Sequence, residues 1–273
     1  MSAPSEHDQT APAKPAEDGH SLLAAERRAR IGALAARQGV VRTEELSRLF
    51  GVSPVTIRSD LDMLAKEGVL VRDRGGAVVN TNTALTTAFN QRAEENLGEK
   101  HRIGQVAARL VSPGDTVILD AGTTVMEMAK LLTDVTPLTV VTNALNVAMQ
   151  MGSVRDVNVI LIGGSLNRDT ISIIGPTAAQ HLHDLIVQKA FIGIHAFDED
   201  GLLDLSIEVA QVKRAMIHAA RQVVLLADSS KWRKVGFAKV GLLSAVRTIV
   251  SDTRLPEDAR AAIQRMGIEL ILA

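Results

Sequence analysis

Residues 52–64 read VSPVTIRSDLDML and carry the features of a capped, amphipathic helix. Ser53 is a favourable N-cap, and Pro54 suits the first helical position because its missing N–H would have no intrahelical partner there. Three apolar residues recur at helical spacing and predict one buried stripe: Ile57, Leu61 and Leu64. The opposite face of this helix is therefore expected to be exposed.

The exposed face has the side chains that a reader of the DNA major groove requires. The start of this face contains short polar side chains, one methyl-bearing residue and one arginine. Side chains of these types at the start of a reading helix reach base edges and phosphates. The predicted DNA-binding residues of this helix are Ser53, Val55, Thr56, Arg58 and Ser59.

The residues before this helix complete a helix-turn-helix pattern. Residues 43–50 are predicted to be a helix that Gly51 ends, and residues 26–38 an earlier helix that completes a small core. The spacing of helix, glycine turn and helix is the arrangement in which the second helix reads DNA.

A short hairpin is predicted behind the reading helix. Residues 69–72 and 77–79 are short apolar strands, and the turn between them contains two glycines that supply the positive φ of a tight hairpin. The residues expected to reach phosphates or a minor groove are Arg72, Arg74, Gly75 and Gly76. An ordinary helical hairpin with solvated charges is the alternative, but the earlier helix, the cap and the basic wing together favour DNA binding.

Composition limits the classes to which the protein can belong. The chain has 273 residues, so two domains are expected. It has no cysteine, which excludes disulfides and thiolate sites and suits a reducing cytoplasm. Aromatic residues make up 2% of the chain, which argues against stacking on single-stranded nucleic acid. Because no apolar run is long enough to span a membrane and no signal peptide is visible, we expect a cytoplasmic protein without a membrane partner.

Charge and composition divide the chain into four segments. Residues 1–25 are acidic and rich in Ala and Pro, and are expected to be a disordered tail. Residues 26–79 hold ten Lys/Arg against seven Asp/Glu and are the expected DNA-binding domain. Residues 80–100 are expected to be a linker or hinge, and residues 101–273 an effector-sensing α/β domain.

The last segment alternates short apolar strands with helices. Strands are predicted at residues 116–119, 138–141, 157–162, 191–194, 223–227, 248–250 and 268–271. Helices are predicted at residues 124–132, 144–151, 177–186 and 208–221, and from about residue 256. Continuous apolar strands between helices indicate a mostly parallel sheet that is covered on both faces.

Polar and glycine-rich loops follow four of these strands, where open α/β sheets bind their ligands. Glycine lets a backbone approach closely, threonine offers hydroxyls, helix starts offer N–H groups, and lysine supplies a cation for an anion. The predicted effector-binding residues are Asp120, Gly122, Thr123, Thr124, Thr142, Asn143, Gly163, Gly164 and Lys231. The expected ligand is a small phosphorylated polyol. The alternative, for any one of these loops taken alone, is an ordinary turn with a helix cap.

Three other features are not assigned to this site. His195 follows a strand, but a lone histidine more often hydrogen-bonds within a fold. Lys213 and Arg214 are expected on a solvated helix face. Trp232 could pack over a sugar or serve as a buried anchor. No catalytic residue, metal ion or cofactor is predicted.

With both parts considered together, the chain resembles the DeoR family of bacterial transcription regulators over residues 26–252. The stretches that carry the resemblance are collinear: RRARIGALAARQGVVRTEELSRLFGVSPVTIRSDLDML, RDRGGAVV, EKHRIGQVAARLVSPGDTVILDAGTT, VVTNALNVA, the GG and IIGP pair, EVAQVKRAMI and LLADSSKW. Ser59 departs from the family, which often has a second arginine there, and FIGIHAFDEDGLLDLS departs from its usual glycine and acidic residue.

The resemblance implies a winged helix-turn-helix and a sensor domain similar to ribose-5-phosphate isomerase, which usually responds to a phosphorylated sugar or related metabolite. It implies a repressor of sugar catabolism that often acts as an oligomer. A homo-oligomer on double-stranded operator DNA is also expected because two-fold symmetry doubles a small contact area.

Two alternatives remain beside the regulator. A sugar-phosphate isomerase would share the sheet, but its carboxylate base is not convincingly matched by the HAFDEDG loop. A DNA-architectural protein is disfavoured because the net charge is −1.

Overall fold

The computed structural model describes residues 24–79 and 81–273. The chain divides into two compact units, an N-terminal unit that ends at Asn80 and a C-terminal unit that starts at Thr81. Residues 1–23 of the expected disordered tail lie outside the described residues, and Ala24 and Ala25 instead open the first helix.

The N-terminal unit is a winged helix-turn-helix, as the sequence predicts. Its elements are α1 (Ala24–Gln38), β1 (Val40–Arg42), α2 (Thr43–Phe50), α3 (Pro54–Lys66), β2 (Leu70–Asp73) and β3 (Gly76–Val79). The strands pair antiparallel in the order β1-β3-β2. Strand β1 was not predicted; it adds a third strand to the two-stranded wing.

The predicted apolar stripe of α3 forms the centre of this unit's core. Ile57 and Leu61 are fully buried and pack with Ile31 of α1. The Arg27 Nε atom also donates to the Asp60 carboxylate at 2.6 Å in the buried interior, which ties α1 to α3. Gly51 ends α2 in the left-handed conformation, with φ 63°.

The C-terminal unit is an α/β sandwich of helices on both sides of a sheet. Its helices are α4 (Thr81–Glu94), α5 (Leu97–Ala108), α6 (Thr123–Ala129), α7 (Leu145–Gly152), α8 (Pro176–His183), α9 (Ile207–Ala219) and α10 (Glu257–Arg265). Its strands are β4 (Thr116–Leu119), β5 (Leu138–Thr142), β6 (Val157–Leu161), β7 (Ser165–Asn167), β8 (Ser172–Ile174), β9 (Val187–Gly193), β10 (Ala196–Asp198), β11 (Gly201–Asp204), β12 (Ala220–Leu226), β13 (Ala238–Gly241), β14 (Thr248–Ser251) and β15 (Glu269–Leu272).

Seven strands form the central sheet in the order β15-β14-β12-β9-β4-β5-β6, and all neighbours are parallel. One apolar cluster includes residues of α8, α9 and α10, and the other includes residues of α5, α6 and α7. The expected parallel sheet, buried on both faces, is therefore confirmed.

In the C-terminal unit, the structure differs from the sequence prediction in two further places. Residues 80–100 were expected to be a linker, but α4 and the start of α5 occupy residues 81–94 and 97–100 and belong to the C-terminal unit. The HAFDEDG stretch contains β10 and the turn into β11, and β11 pairs with β13 in a separate antiparallel sheet. Within residues 24–79 and 81–273, no helix combines the length and the apolarity that crossing a bilayer requires.

Candidate DNA-binding surface and effector cavity

The exposed face of α3 contains most of the residues predicted to read DNA. Val55, Arg58 and Ser59 are exposed, and Val55 has 70% of its surface accessible. The Ser53 hydroxyl accepts from the Thr56 N–H at 3.1 Å and lies 2.9 Å from the Thr56 hydroxyl oxygen. Ser53 and Thr56 therefore shape the start of the helix, whereas the other three present side chains to solvent.

The two arginines of the wing have different surroundings. The Arg72 Nε atom lies 2.9 Å from the Asp62 carboxylate, and its Nη1 atom donates to the Gly76 carbonyl at 2.7 Å. Arg74 is exposed in the turn, where its N–H donates to Asp73 at 2.7 Å. Arg72 thus links the wing to α3, and Arg74 is the better placed of the two for a phosphate.

The two glycines of the wing are required by the backbone. Gly75 has φ +77°, and its carbonyl accepts from the Thr43 N–H at 2.9 Å. A Cβ atom on Gly76 would lie 2.1 Å from the Val41 carbonyl oxygen in the adjacent strand. Gly76 is buried, so it positions the wing and is not placed to contact DNA.

A cavity of about 210 Å³ opens in the C-terminal unit beyond the carboxyl ends of β4, β9 and β12. Four of the nine predicted effector residues line it: Gly122, Thr123, Thr124 and Lys231. Thr123 and Thr124 open α6 directly after Gly122, which has an extended backbone and no Cβ to narrow the approach. The amides of this first turn precede the intrahelical hydrogen bonds and are available to an anion.

Asp120 lies beneath the cavity and is held by the protein. Its Oδ2 atom accepts from the Gly193 N–H at 3.1 Å and from the Lys213 ammonium, which also donates to the Gly193 carbonyl at 2.7 Å. Burial raises the pKa of the Asp120 carboxyl, and the Lys213 charge opposes that rise. Asp120 was predicted to bind the effector, but the residue is 1% exposed and absent from the cavity lining.

Lys213 was predicted to be solvated, and that prediction is wrong. The side chain is buried and lines the cavity, and its Nζ atom lies 3.9 Å from the Asp204 carboxylate. Arg214, by contrast, is partly exposed and donates to the Lys239 carbonyl. Lys213 therefore contributes a buried cation to the cavity floor, between two carboxylates.

Thr142 and Asn143 support the loops instead of lining the cavity. The Thr142 hydroxyl donates to the Leu119 carbonyl at 2.6 Å. The Asn143 side chain accepts from the Ala121 N–H at 3.1 Å and donates to the Ile173 carbonyl at 3.2 Å. Both side chains are buried, so they brace the turn that leads into α6.

Gly163 and Gly164 also lie outside the cavity lining. The Gly163 N–H donates to the His181 ring at 3.1 Å. Gly164 has φ +149°, and a Cβ atom there would lie 2.7 Å from the Ile174 carbonyl oxygen. This glycine pair thus permits the close approach of the β7–β8 hairpin.

Two lysines besides Lys213 supply positive charge to the cavity. Burial lowers the pKa of Lys231, although Asp228 opposes that effect. Lys100 of α5, which the sequence analysis missed, is buried at the lining, and burial also lowers its pKa against the attraction of Asp228. Its ammonium donates to the Arg92 carbonyl. An anion between these lysines would stabilise their protonated forms.

His195 lines the cavity, although it was not assigned to the site. Burial lowers the pKa of His195, and the charges of Lys234 and Lys231 lower it further. Trp232 packs edge-on against Phe197 with ring centroids 5.3 Å apart and lies outside the lining, which fits an anchor better than a sugar platform.

The sequence matches two family descriptions, "DeoR-like helix-turn-helix domain" over residues 27–83 and "DeoR C terminal sensor domain" over residues 95–253. The chain belongs to the DeoR family. It is similar to a putative aga operon transcriptional repressor of Escherichia coli O157:H7, with 33% identity over 90% of this chain and 93% of the relative. It is also similar to the HTH-type transcriptional repressor GlcR of Bacillus subtilis, with 35% identity over 85% and 90%.

Another relative of this DeoR-family protein is the glycerol-3-phosphate regulon repressor of Escherichia coli, with 33% identity over 88% of this chain and 95% of the relative. Among solved structures, a ribose 5-phosphate isomerase of Methanocaldococcus jannaschii aligns at 18% identity with a TM-score of 0.36, over 49% of this chain and 53% of the isomerase. The family match and the relatives confirm two predictions from the sequence. These are membership of the DeoR family and the function of a DNA-binding transcription regulator.

Proposed function

We propose that this DeoR-family protein represses an operon of carbohydrate catabolism and that a phosphorylated sugar or related metabolite in the cavity controls its affinity for operator DNA. The observation that carries the effector site is the meeting of the Gly122–Thr124 turn with two lysines in one cavity. Three relatives are named as repressors, and two of these names refer to the aga operon and to the glycerol-3-phosphate regulon. The second name contains a phosphorylated metabolite of the proposed class.

The phosphate is proposed to bind at the turn that opens α6. The amides and hydroxyls of Thr123 and Thr124 donate to its oxygens, and Lys231 and Lys100 supply the countercharge. A dianion suits this site because burial lowers the pKa of both lysines, and an anion between them lowers the cost of keeping both protonated.

The polyol part of the ligand is proposed to lie towards Lys213 and Asp204. Asp204, Ser206 and His195 line this end of the cavity and offer hydrogen-bond acceptors and donors to hydroxyl groups. The carboxylate of Asp204 disfavours a second anionic group there, so the proposed ligand carries its phosphate at one end.

Operator recognition is proposed to use α3 and the wing of each subunit in a homo-oligomer. Arg58, Val55 and Ser59 would contact base edges or phosphates, with Arg74 on the backbone. Sedimentation of the full-length protein with saturating DNA tests the oligomer, and a stable monomer on the DNA would contradict it.

The cavity is proposed to sense its ligand without turning it over. Isomerisation needs a carboxylate base beside the substrate, and the Asp120 carboxylate is engaged by Lys213 and the Gly193 N–H. Asp204 does line the cavity, so incubation with pentose and hexose phosphates, followed by product detection, is the direct check. If the protein converts any of these sugar phosphates faster than they convert in its absence, the non-catalytic proposal is overturned.

Calorimetric titration of the full-length protein with a panel of sugar phosphates and their unphosphorylated sugars tests the effector site. Phosphorylated compounds should bind, and Lys231→Gln should abolish their binding while leaving ligand-free DNA binding intact. Lys239→Gln is the matched control, because Lys239 is exposed on β13 and lies outside the cavity lining. Equal binding to both variants would place the effector elsewhere.

A further inference from the structure

One wall of the cavity is built by α4, the helix that follows the wing in the sequence. Phe89 and Arg92 line the cavity from α4, and Phe89 is buried there. Asn80 is the single residue between the end of β3 and the start of α4. A ligand that fixes α4 therefore acts on the segment that is covalently continuous with the DNA-binding unit.

Arg92 connects three segments around the cavity. Its Nε atom donates to the Ala88 carbonyl of its own helix at 3.2 Å. Its Nη2 atom donates to the carbonyl of Asp169, in the turn between β7 and β8, and its own carbonyl accepts from the Lys100 ammonium of α5. The position of this one residue is thus coupled to α4, to α5 and to the β7–β8 turn.

The guanidinium of Arg92 also belongs to the cation group of the cavity. Its charge acts on both Lys100 and Lys231, and it is itself exposed enough to change its rotamer. A planar guanidinium can grip a phosphate with two parallel hydrogen bonds, and such charge-assisted bonds are stronger than a bond to a neutral carbonyl.

We propose that Arg92 is the positioning residue through which an anion in the cavity acts on α4 and thereby on DNA affinity. The inference rests on the proposed function, since it requires an anionic effector between Lys100 and Lys231. The bound anion draws the guanidinium from the Asp169 carbonyl into the cavity and holds the last turns of α4. The ligand then interacts differently with two arrangements of α4, which is the condition under which it can shift DNA binding.

Hydrogen–deuterium exchange of the full-length protein tests the first step, with inorganic phosphate as the probe and chloride at equal ionic strength as the reference. In the unmodified protein, phosphate should slow exchange both in the turn at residues 122–125 and in residues 88–94 of α4. Arg92→Gln should keep the protection of the turn and lose that of α4. Arg102→Gln is the matched control, because Arg102 is exposed on α5, pairs with Glu99 at 3.4 Å and does not line the cavity.

The second step is measured with a DNA fragment selected from random sequence by the full-length protein. Phosphate should change the DNA dissociation constant of the unmodified protein and of Arg102→Gln by about fivefold or more, which is the low end of typical allosteric coupling. The ratio of the DNA dissociation constants in phosphate and in chloride should fall to near one in Arg92→Gln, and Arg92→Lys should restore part of the response.

The outcomes separate this inference from the function on which it rests. Protection of α4 that persists in Arg92→Gln, or an unchanged ratio of DNA affinities, overturns the role of Arg92 and leaves the anion site standing. If phosphate protects neither the turn nor α4 in the unmodified protein, the anion site fails, and the role of Arg92 falls with it.

Discussion

Replacing Lys213 with methionine is expected to destabilise the C-terminal unit strongly. The ammonium is buried against Asp120 and the Gly193 carbonyl, and the residues Lys213 and Asp120 are 4% and 1% exposed, so solvent does not screen the loss. Removing one partner of a buried pair leaves the other charge uncompensated. The free energy of unfolding should therefore fall by about 3–5 kcal/mol.

The double variant Lys213→Met, Asp120→Asn separates the lost charge pair from lost packing. An asparagine at position 120 can still accept from the Gly193 N–H, and it leaves no uncompensated carboxylate at that position. Because a neutral replacement of a buried pair is often tolerated, the double variant should recover at least half of the single variant's loss.

Urea unfolding followed by tryptophan fluorescence measures these changes, since Trp232 is the chain's single tryptophan and lies in the C-terminal unit. Lys239→Met is the control, because the same substitution at this exposed lysine should change stability by less than about 0.5 kcal/mol. A loss below about 1 kcal/mol in Lys213→Met would refute the idea that the pair is a buried structural contact. A double variant no more stable than the single one would refute the charge argument.

The pH dependence of the single variant gives a further check. Burial raises the pKa of the Asp120 carboxyl above its unfolded value, and in Lys213→Met the lysine charge that opposes this rise is gone. Such a group contributes to the stability of the folded protein below its unfolded-state pKa. That contribution is lost as the pH rises through the folded-state pKa. The loss caused by Lys213→Met should therefore shrink as the pH is lowered towards the unfolded pKa.

The helix-turn-helix could be predicted because its signals are local. The Ser53 cap, the Pro54 start and the glycine that ends α2 each act within a few residues, and the structure has all three. The ion pair of Arg27 with Asp60 could not be predicted, since its partners are 33 positions apart and each alone resembles a solvated helix residue. The same limit explains why Arg72 was expected on DNA, although it pairs with α3.

The parallel sheet could be predicted from continuous apolar runs, but the starts of two strands could not. Strands β9 and β12 begin at Val187 and Ala220, before their apolar stretches. The first residues of both strands include exposed polar side chains such as Gln188 and Gln222, so the apolar pattern does not reveal where the strands start. The hairpin in HAFDEDG was also missed. Its signal was present, since an aspartate-rich turn that ends in Gly201 is typical of a tight β connection.

The site was predicted in part because residues after parallel strands converge, yet convergence does not decide which side chains remain available. Thr142 and Asn143 follow a central strand but use their polar atoms on neighbouring backbone groups. Lys100 and Lys213 were missed for the opposite reason. Lysines on helices are usually solvated, and only the packing of α5 and α9 over the sheet shows that these two are buried.

Three further predictions concern the two binding surfaces. Arg58→Ala should weaken specific DNA binding by about 1–3 kcal/mol, as measured by fluorescence anisotropy, because its exposed side chain is placed for a base or phosphate contact. Arg74→Gln should lower the slope of log affinity against log salt by about one unit, whereas Arg72→Gln should mainly reduce stability, since Arg72 pairs with α3. Effector affinity should fall as the pH rises above neutrality, where a phosphate ester is already fully ionised. Burial lowers the pKa of Lys231 and of Lys100, so both lysines lose their protons at a lower pH than usual, and each lost charge weakens the attraction for the anion. Calorimetry in buffers of different ionisation enthalpy should also detect proton uptake on binding in that range, because the anion raises both pKa values towards normal. Affinity that is constant with pH, with no proton uptake, would mean that these lysines do not contact the anion.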